Sequence, residues 1–425
     1  MRTRKDGFAV SAAALALLAI PAAAGEFTPL GDGSATNNAD LMGNPAIDCA
    51  SCVATPPHES GNEPFDLDWS LGLRGGIKDE GTGDGPTYEL IALPGVTLKH
   101  ETIRGGYDVG LSGELSYDVD GSARIGSITG TAGGEYKLDA LTTLTGRGNL
   151  TVSQDAADGP DYADNVASAP VVVSGDGEVS AARDLGAFNL AVRGSAGREV
   201  FGETVYDDNS TADNSFQNTT AYGAGARLGY ELTPGLVAFV DVEADTLTYD
   251  APSPSLLVKL DNVTYAGRGG LSAKFNETLE LEGSLGFGYT DLTDGSLSDF
   301  SAVLYDAKAT FRPDETLTLT GAFTTTISQP GTTSGATAKL TYAAAGQVEY
   351  LVNPWLKLRA DAQWSEAHYQ GIDNDEYNWG FGVGADYLLN EHTDLTADYS
   401  FLRTEKTPDP ATDEHQVTVG VKFHR

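Results

Sequence analysis

The chain has 425 residues, a formal net charge of −35 and a charged fraction of 20%. That acidity excludes nucleic acid as a partner, because no basic surface remains to neutralise phosphates. A mean hydropathy of −0.22 is too polar for a bundle of membrane helices, and the charge density is too low for a disordered chain.

The N-terminus opens with Arg2, Arg4 and Lys5, runs through apolar residues from Phe8 to Ile20, and reaches Ala22-Ala23-Ala24 before Gly25. This is the secretory pattern, so residues 1–24 are predicted to be a signal peptide. The apolar run is too short to span a bilayer, and no run of about eighteen apolar residues follows it. Residues 25–64 are rich in Gly, Asn, Pro and Asp and lack periodicity, which predicts a flexible periplasmic extension. Within it, Cys49 and Cys52 are expected to form a small local disulfide in an oxidising compartment. A redox role would need a βαβ setting, and a metal role would need further ligands.

From Phe65 to the end the pattern changes to alternation with period two. In Leu279-Glu280-Leu281-Glu282-Gly283-Ser284-Leu285-Gly286-Phe287 the odd positions are apolar and the even ones charged, small or hydroxylated. Leu356, Leu358, Ala360, Ala362 and Trp364 alternate in the same way with Lys357, Arg359, Asp361 and Gln363. Strand side chains point to opposite faces in turn, so each segment carries one apolar and one polar face. In chain order the candidate strands lie near 65–76, 88–99, 105–117, 122–136, 140–153, 168–181, 186–198, 219–231 and 235–249. They continue near 262–274, 278–290, 300–311, 316–328, 337–350, 355–369, 377–388, 393–404 and 414–423.

A soluble sandwich would use the same alternation with its apolar face inward. Three features favour the inverse. The segments have the length of a tilted strand crossing a bilayer, and the polar faces carry many charges. Tight links such as Leu232-Thr233-Pro234-Gly235, Arg312-Pro313-Asp314-Glu315 and Asn390-Glu391-His392 also alternate with long acidic stretches near 154–167, 199–218, 250–261, 291–299, 329–336, 370–376 and 405–413. Short periplasmic turns alternating with long outer loops mark a membrane barrel. The predicted fold is therefore all-β. It is a transmembrane antiparallel up-and-down β-barrel of sixteen to eighteen strands over residues 65–425, in the outer membrane of a Gram-negative-type cell.

With the apolar phase facing lipid, the other phase lines the lumen. Asp241, Glu243 and Asp245 stack on one strand, Glu280 and Glu282 on another, and Asp394 and Asp398 on a third. Arg193, Lys357 and Arg359 are expected to face them across the lumen, setting up a transverse field that favours cations. The same charges would equally serve as a hydrated network of ion pairs in the wall. Tyr289, Trp355, Trp364, Tyr369, Trp379, Tyr387, Tyr399 and Phe423 are expected in interfacial girdles. Only Phe239 and Tyr249 fall in the polar phase among these segments, which gives no path for stacking sugars.

Catalytic and metal readings are weaker. His368 and His415 approach the predicted outer rim, but neither has a serine in a nucleophile context. Asp118-Val119-Asp120-Gly121, Asp207-Asp208-Asn209 and Asp373-Asn374-Asp375-Glu376 offer hard oxygen donors without the spacing of a calcium loop. No cofactor and no metal site is predicted.

The stretch from Gly380-Phe381-Gly382-Val383-Gly384 through Asn390-Glu391-His392 to Asp398-Tyr399-Ser400-Phe401 resembles the penultimate hairpin of the putative β-barrel porin 2 group. Asp250-Ala251-Pro252-Ser253-Pro254-Ser255-Leu256 with Val258-Lys259-Leu260-Asp261-Asn262 is similar to that group as well. The resemblance implies an outer-membrane barrel, in some cases associated with exopolysaccharide export. Phe423 keeps the phase of the terminal aromatic such barrels use in assembly, although His424 and Arg425 follow it. The expected function is a non-enzymatic channel for small solutes or for exopolysaccharide export. The alternatives are a structural or adhesive barrel with a closed lumen, and a rim hydrolase. Expected partners are outer-membrane lipid, lipopolysaccharide bridged by divalent cations, and the barrel-assembly machinery, with the oligomeric state open.

Overall fold

The computed structural model describes residues 65–425 apart from 80, 82–84, 119–122, 155–164, 329, 331–334 and 408–410. The signal peptide, the extension and the Cys49–Cys52 pair lie outside the described residues. Eighteen long strands follow one another: β1 (Asp66–Asp79), β2 (Thr87–Thr102), β3 (Gly105–Asp118), β4 (Ala123–Lys137), β5 (Thr142–Gln154), β6 (Val171–Asp184), β7 (Phe188–Phe201), β8 (Thr219–Thr233) and β9 (Leu236–Tyr249). The second half comprises β10 (Asn262–Phe275), β11 (Leu279–Leu292), β12 (Phe300–Phe311), β13 (Leu317–Ser328), β14 (Ala338–Asn353), β15 (Leu356–Gln370), β16 (Asp375–Asn390), β17 (Thr393–Lys406) and β18 (Thr412–His424). Each pairs antiparallel with the next, and β1 pairs with β18 from Ser70↔His424 to Asp79↔His415. The sheet closes with no free edge, as a structure in lipid requires, and the strand number is eighteen.

The apolar phase faces outward throughout. Leu67, Trp69, Leu71 and Leu73 on β1 are exposed, as are Leu281, Leu285, Phe287 and Tyr289 on β11. Along neighbouring strands Trp364 stands nine residues from Trp355, and Trp379 eight from Tyr387, and Trp364 and Trp379 sit in register. At ~3.3 Å per residue and a tilt of about 40° this separates the two aromatic levels by roughly 20–23 Å, close to the apolar band of a bilayer barrel. Trp364 thus belongs to a girdle although it lies mid-strand, because β15 continues beyond the band. Tyr369 departs from the expected girdle. It occupies the inward phase of β15, where its hydroxyl donates to Glu376 at 2.8 Å and Lys339 lies 5.3 Å from its ring.

The short turns are built on side-chain acceptors. Asp139, Asp184, Asp314, Asn353 and Asn390 each accept the backbone N–H two residues on, at 2.8–3.0 Å. Such Asx turns reverse the chain without help from the rest of the fold. Hydrogen bonds from the Leu141 and Thr316 turns hold the Asp139 and Asp314 carboxyls below their usual pKa, so both turns keep their acceptor well into acid. In the Pro234-Gly235 link Gly235 has φ +82°, and a Cβ there would meet the Lys274 carbonyl at 2.5 Å.

Two segments differ from expectation. Barrel strand β6 begins three residues later than the alternation indicates, since Pro170 has no N–H to give a ladder, and β7 begins two residues later. The outer segments on either side of this hairpin are not plain loop: Val166–Ser168 ahead of β6 and Thr204–Tyr206 and Thr211–Ala212 after β7 form a small three-stranded sheet at the long-loop end.

The seam between β12 and β13 is the other irregularity. Its ladder runs only from Ala307↔Phe323 to Phe311↔Leu319, whereas β13 stays paired with β14 as far as Ser328↔Lys339. At the point of divergence the Thr325 hydroxyl accepts from the Tyr305 N–H at 3.1 Å and donates to the Tyr305 carbonyl at 3.0 Å, replacing the ladder. Thr325→Val would leave both backbone groups of Tyr305 unpaired beside lipid. A loss of about 1–3 kcal/mol is expected, measured as a lower urea midpoint for unfolding from lipid vesicles.

Candidate functional site

The inward phase carries the candidate site. Asp241, Glu243 and Asp245 share the inner face of β9, Glu280 and Glu282 that of β11, and Asp394 and Asp398 that of β17. Arg193 on β7 reaches past β8 to bond Asp241 twice at 2.9 Å and Glu243 at 2.7 Å. Arg268 on β10 reaches Glu243 at 3.3 Å on one side and Asp306 on β12 at 2.9 Å on the other. On the opposite half, Arg359 on β15 bonds Asp386 at 2.9 Å and Asp398 on β17 at 2.7 Å. Lys357 pairs with Glu349 at 3.0 Å, Glu280 with Lys274 at 2.9 Å, and Asp394 lies 3.1 Å from His424.

These geometries correct one expectation. Arg193, Lys357 and Arg359 do not face the acidic residues across the lumen; each lies flat along the wall and pairs with carboxylates one or two strands away. Glycine on the intervening strand is the physical reason. A Cβ at Gly225 would meet the Arg193 guanidinium carbon at 2.7 Å, and one at Gly286 would meet the Arg268 side chain at 2.6 Å. A Cβ at Gly384 would crowd both Arg359 and Asp398, and one at Gly76 would lie 3.1 Å from Glu89, which accepts from Gln416 of β18 across β1. The guanidinium of each arginine crosses a strand because nothing rises from that strand to stop it.

Arg227 extends the scheme over two strands. It stacks on the Phe239 ring at 3.6 Å and bonds Glu282 of β11 at 2.8 and 3.0 Å, with the Phe239 ring lying over Gly270. Both predicted inward aromatics, Phe239 and Tyr249, are buried. Arg227, Arg268, Asp306 and Asp386 were not singled out from the sequence. They occupy the same inward phase as the residues that were, and phase alone would have found them.

The long-loop end is partly filled. Tyr249, Leu292 and Leu304 are inward-phase residues with almost no exposure, and Leu260, Pro330 and Ala336 in the outer loops are equally buried. Ile327 reaches toward Gly288 and Leu304 from β13, on the side where that strand leaves its ladder. Asp250, at the start of the 250–261 loop, is held by Arg198 at 2.8 Å, and that guanidinium keeps its carboxyl below the ordinary value of 3.8. The pair is therefore intact above that pH and is lost as the pH falls through the lowered value. Neither His368, which lies between Asp375 at 2.8 Å and Glu366 at 3.1 Å, nor His415, 3.1 Å from Tyr399, has a serine partner.

Removing one arginine from this wall strands its carboxylates. Arg193→Gln is expected to cost about 3 kcal/mol, since breaking a pair this buried leaves uncompensated charge. Gly225→Val should cost a comparable amount by lifting the same guanidinium. Vesicle unfolding midpoints of the two variants check both.

No curated protein matches the chain. Among solved structures, the FrpB iron transporter from Neisseria meningitidis is similar at 10% identity and a TM-score of 0.46, over 80% of this chain and 63% of that one. The chain thus spans less than two thirds of that transporter's length. OccK5 (OpdH) from Pseudomonas aeruginosa is 12% identical with a TM-score of 0.42, over 85% of this chain and 98% of that one. OccAB4 from Acinetobacter baumannii is 11% identical with a TM-score of 0.42 over the same shares. The family model described as putative beta-barrel porin 2 matches residues 106–425, from the second residue of β3 to the end of β18 and beyond it to Arg425. With three quarters of its length so matched, the chain belongs to the putative β-barrel porin 2 family.

Proposed function

We propose that this porin-like barrel lies in the outer membrane and passes small polar solutes through its lumen, with a preference for cations. The observation that carries the reading is the tangential course of the ion pairs. Arg193, Arg268 and Arg359 lie over glycines against the wall, so the charges that line the lumen do not bridge it. Eighteen strands are wide enough to leave an aqueous passage under such a lining. Of the three acids on β9, Asp241 and Glu243 are neutralised by Arg193 and Arg268. Asp245 bonds no cation among the described residues and would supply the cation preference.

Planar-bilayer recording tests both parts. Discrete conductance steps are expected, and their absence across a range of salts would reject the channel. In a salt gradient Asp245→Asn should shift the reversal potential toward the non-selective value. Arg193→Gln should shift it the other way by releasing two carboxylates.

Export of a long glycan fits less well. Sugar stacking needs inward aromatic faces, and Phe239 is covered by Arg227, Tyr249 is buried, and Tyr369 is engaged by Glu376 and Lys339.

The packed long-loop end favours a second reading, in which the mouth is narrowed by its own loops. Deleting residues 252–258 should raise the unitary conductance several-fold. Lowering the pH through the depressed Asp250 value, which itself lies under 3.8, should do the same in the intact protein, as Asp250 loses its charge and Arg198 its hold. A conductance unchanged by either treatment would mean that the loops do not restrict the passage.

A further inference from the structure

One stretch of the inner wall lacks the close ion pairs that Arg193, Arg227, Arg268 and Arg359 make. Arg74 of β1, Ile91 of β2, Ser116 of β3 and Arg124 of β4 stand in one register row across four adjacent strands. Arg193, Arg227, Arg268 and Arg359 each bond a carboxylate at 3.0 Å or less. Arg74 and Arg124 do not: their acidic neighbours are Asp398 at 3.9 Å and Glu89 at 3.8 Å, and neither guanidinium makes a hydrogen bond within the described residues.

For Arg124 the cause lies on the intervening strand, whereas Arg74 lies over Gly420 of β18 toward Asp398. Arg124 would have to cross β3 to reach Glu89, and the residue beneath it there is Ser116 in place of a glycine. Ser116 is 3% exposed, and neither its hydroxyl nor the Arg124 Nε has a hydrogen-bond partner among the described residues. Glu89 is meanwhile occupied by Gln416, which donates to it at 2.6 Å. An unpaired buried hydroxyl and an unpaired guanidinium N–H each carry a desolvation cost that a ligand acceptor would relieve.

We infer that this row is a binding site for a small solute carrying an oxyanion, a carboxylate or a phosphate, on an apolar body. Arg124 and Ser116 donate to the oxyanion. Ile91 supplies the apolar floor, and Arg74 stands at the far end of the row, about 14 Å away across three strand spacings of ~4.8 Å. Guanidinium and hydroxyl donors fit either oxyanion, and charge-assisted bonds of this kind are the strong ones. The inference rests on the lumen being open to solutes.

The test is calorimetric titration of the full-length protein, folded in detergent, with benzoate, phenyl phosphate and neutral benzamide. At least one anion should bind tenfold or more tightly than benzamide, and the tighter of the two identifies the group. Arg124→Gln should abolish that margin. Ser116→Ala, which leaves the wall charge unchanged, should reduce it several-fold. Gel migration of unheated samples confirms that each variant retains the barrel. Equal affinity for benzoate, phenyl phosphate and benzamide would overturn the site, as would variants that keep the barrel and keep the margin. The titration needs no conduction, so a barrel that conducts without binding refutes this site alone, and one that binds without conducting refutes only the channel.

Discussion

Charge on the inner wall of this barrel is balanced sideways, and the balance depends on the absence of side chains at chosen points. A guanidinium spanning two strand spacings must pass over the strand between, and a single methyl group there would stand in its path. Gly225, Gly286, Gly384 and Gly76 therefore matter for what they omit. The resulting pairs tie strands that share no backbone hydrogen bonds, so the wall is cross-linked at two levels: by ladders between neighbours and by side chains between next-neighbours. Arg227, resting on Phe239 above Gly270, carries the cross-linking one strand further. A wall stiffened in this way can stand around a wet interior without filling it.

Much of this was legible in the sequence. Period-two alternation gives the strands, and its phase gives the lipid face, because a strand has only two faces and the outer one meets hydrocarbon. Asp241, Glu243, Asp398 and Arg359 could be assigned to the interior on phase alone, and the Asx residues of the short turns announce themselves locally. What phase cannot convey is distance around the circumference. Whether Arg193 meets an acid opposite or beside it depends on strand order, register and the glycine between, three quantities written in three separate segments. Tyr369 escaped for a related reason, since an aromatic near a strand end looks like a girdle residue until the parity of its own strand is followed. The small sheet flanking β6 and β7 comes from loop–loop pairing, for which alternation over three residues gives no usable signal.

The two ends of the barrel are unlike in physical character. At one, turns of a few residues close each hairpin, and five of them are Asx turns. At the other, Leu260, Pro330 and Ala336 turn back and meet inward-facing Tyr249, Leu292 and Leu304. In the proposed channel a wet midsection beneath an apolar collar would make the mouth the narrow part, and the hold of Arg198 on Asp250 places a charge-dependent clasp at its edge. Discrimination among solutes would then divide between steric exclusion at the collar and electrostatics below it.

The short β12–β13 ladder has a mechanical corollary. Hoop tension in a closed wall is the same at every seam, so strain accumulates where the fewest bonds resist it. Five paired positions with a threonine hydroxyl at their end make this seam the compliant one, while β1 and β18, where the chain's ends meet, are joined over ten. When the bilayer thins or the wall flexes, the circumference gives first there, on the side where Ile327 leans toward the collar.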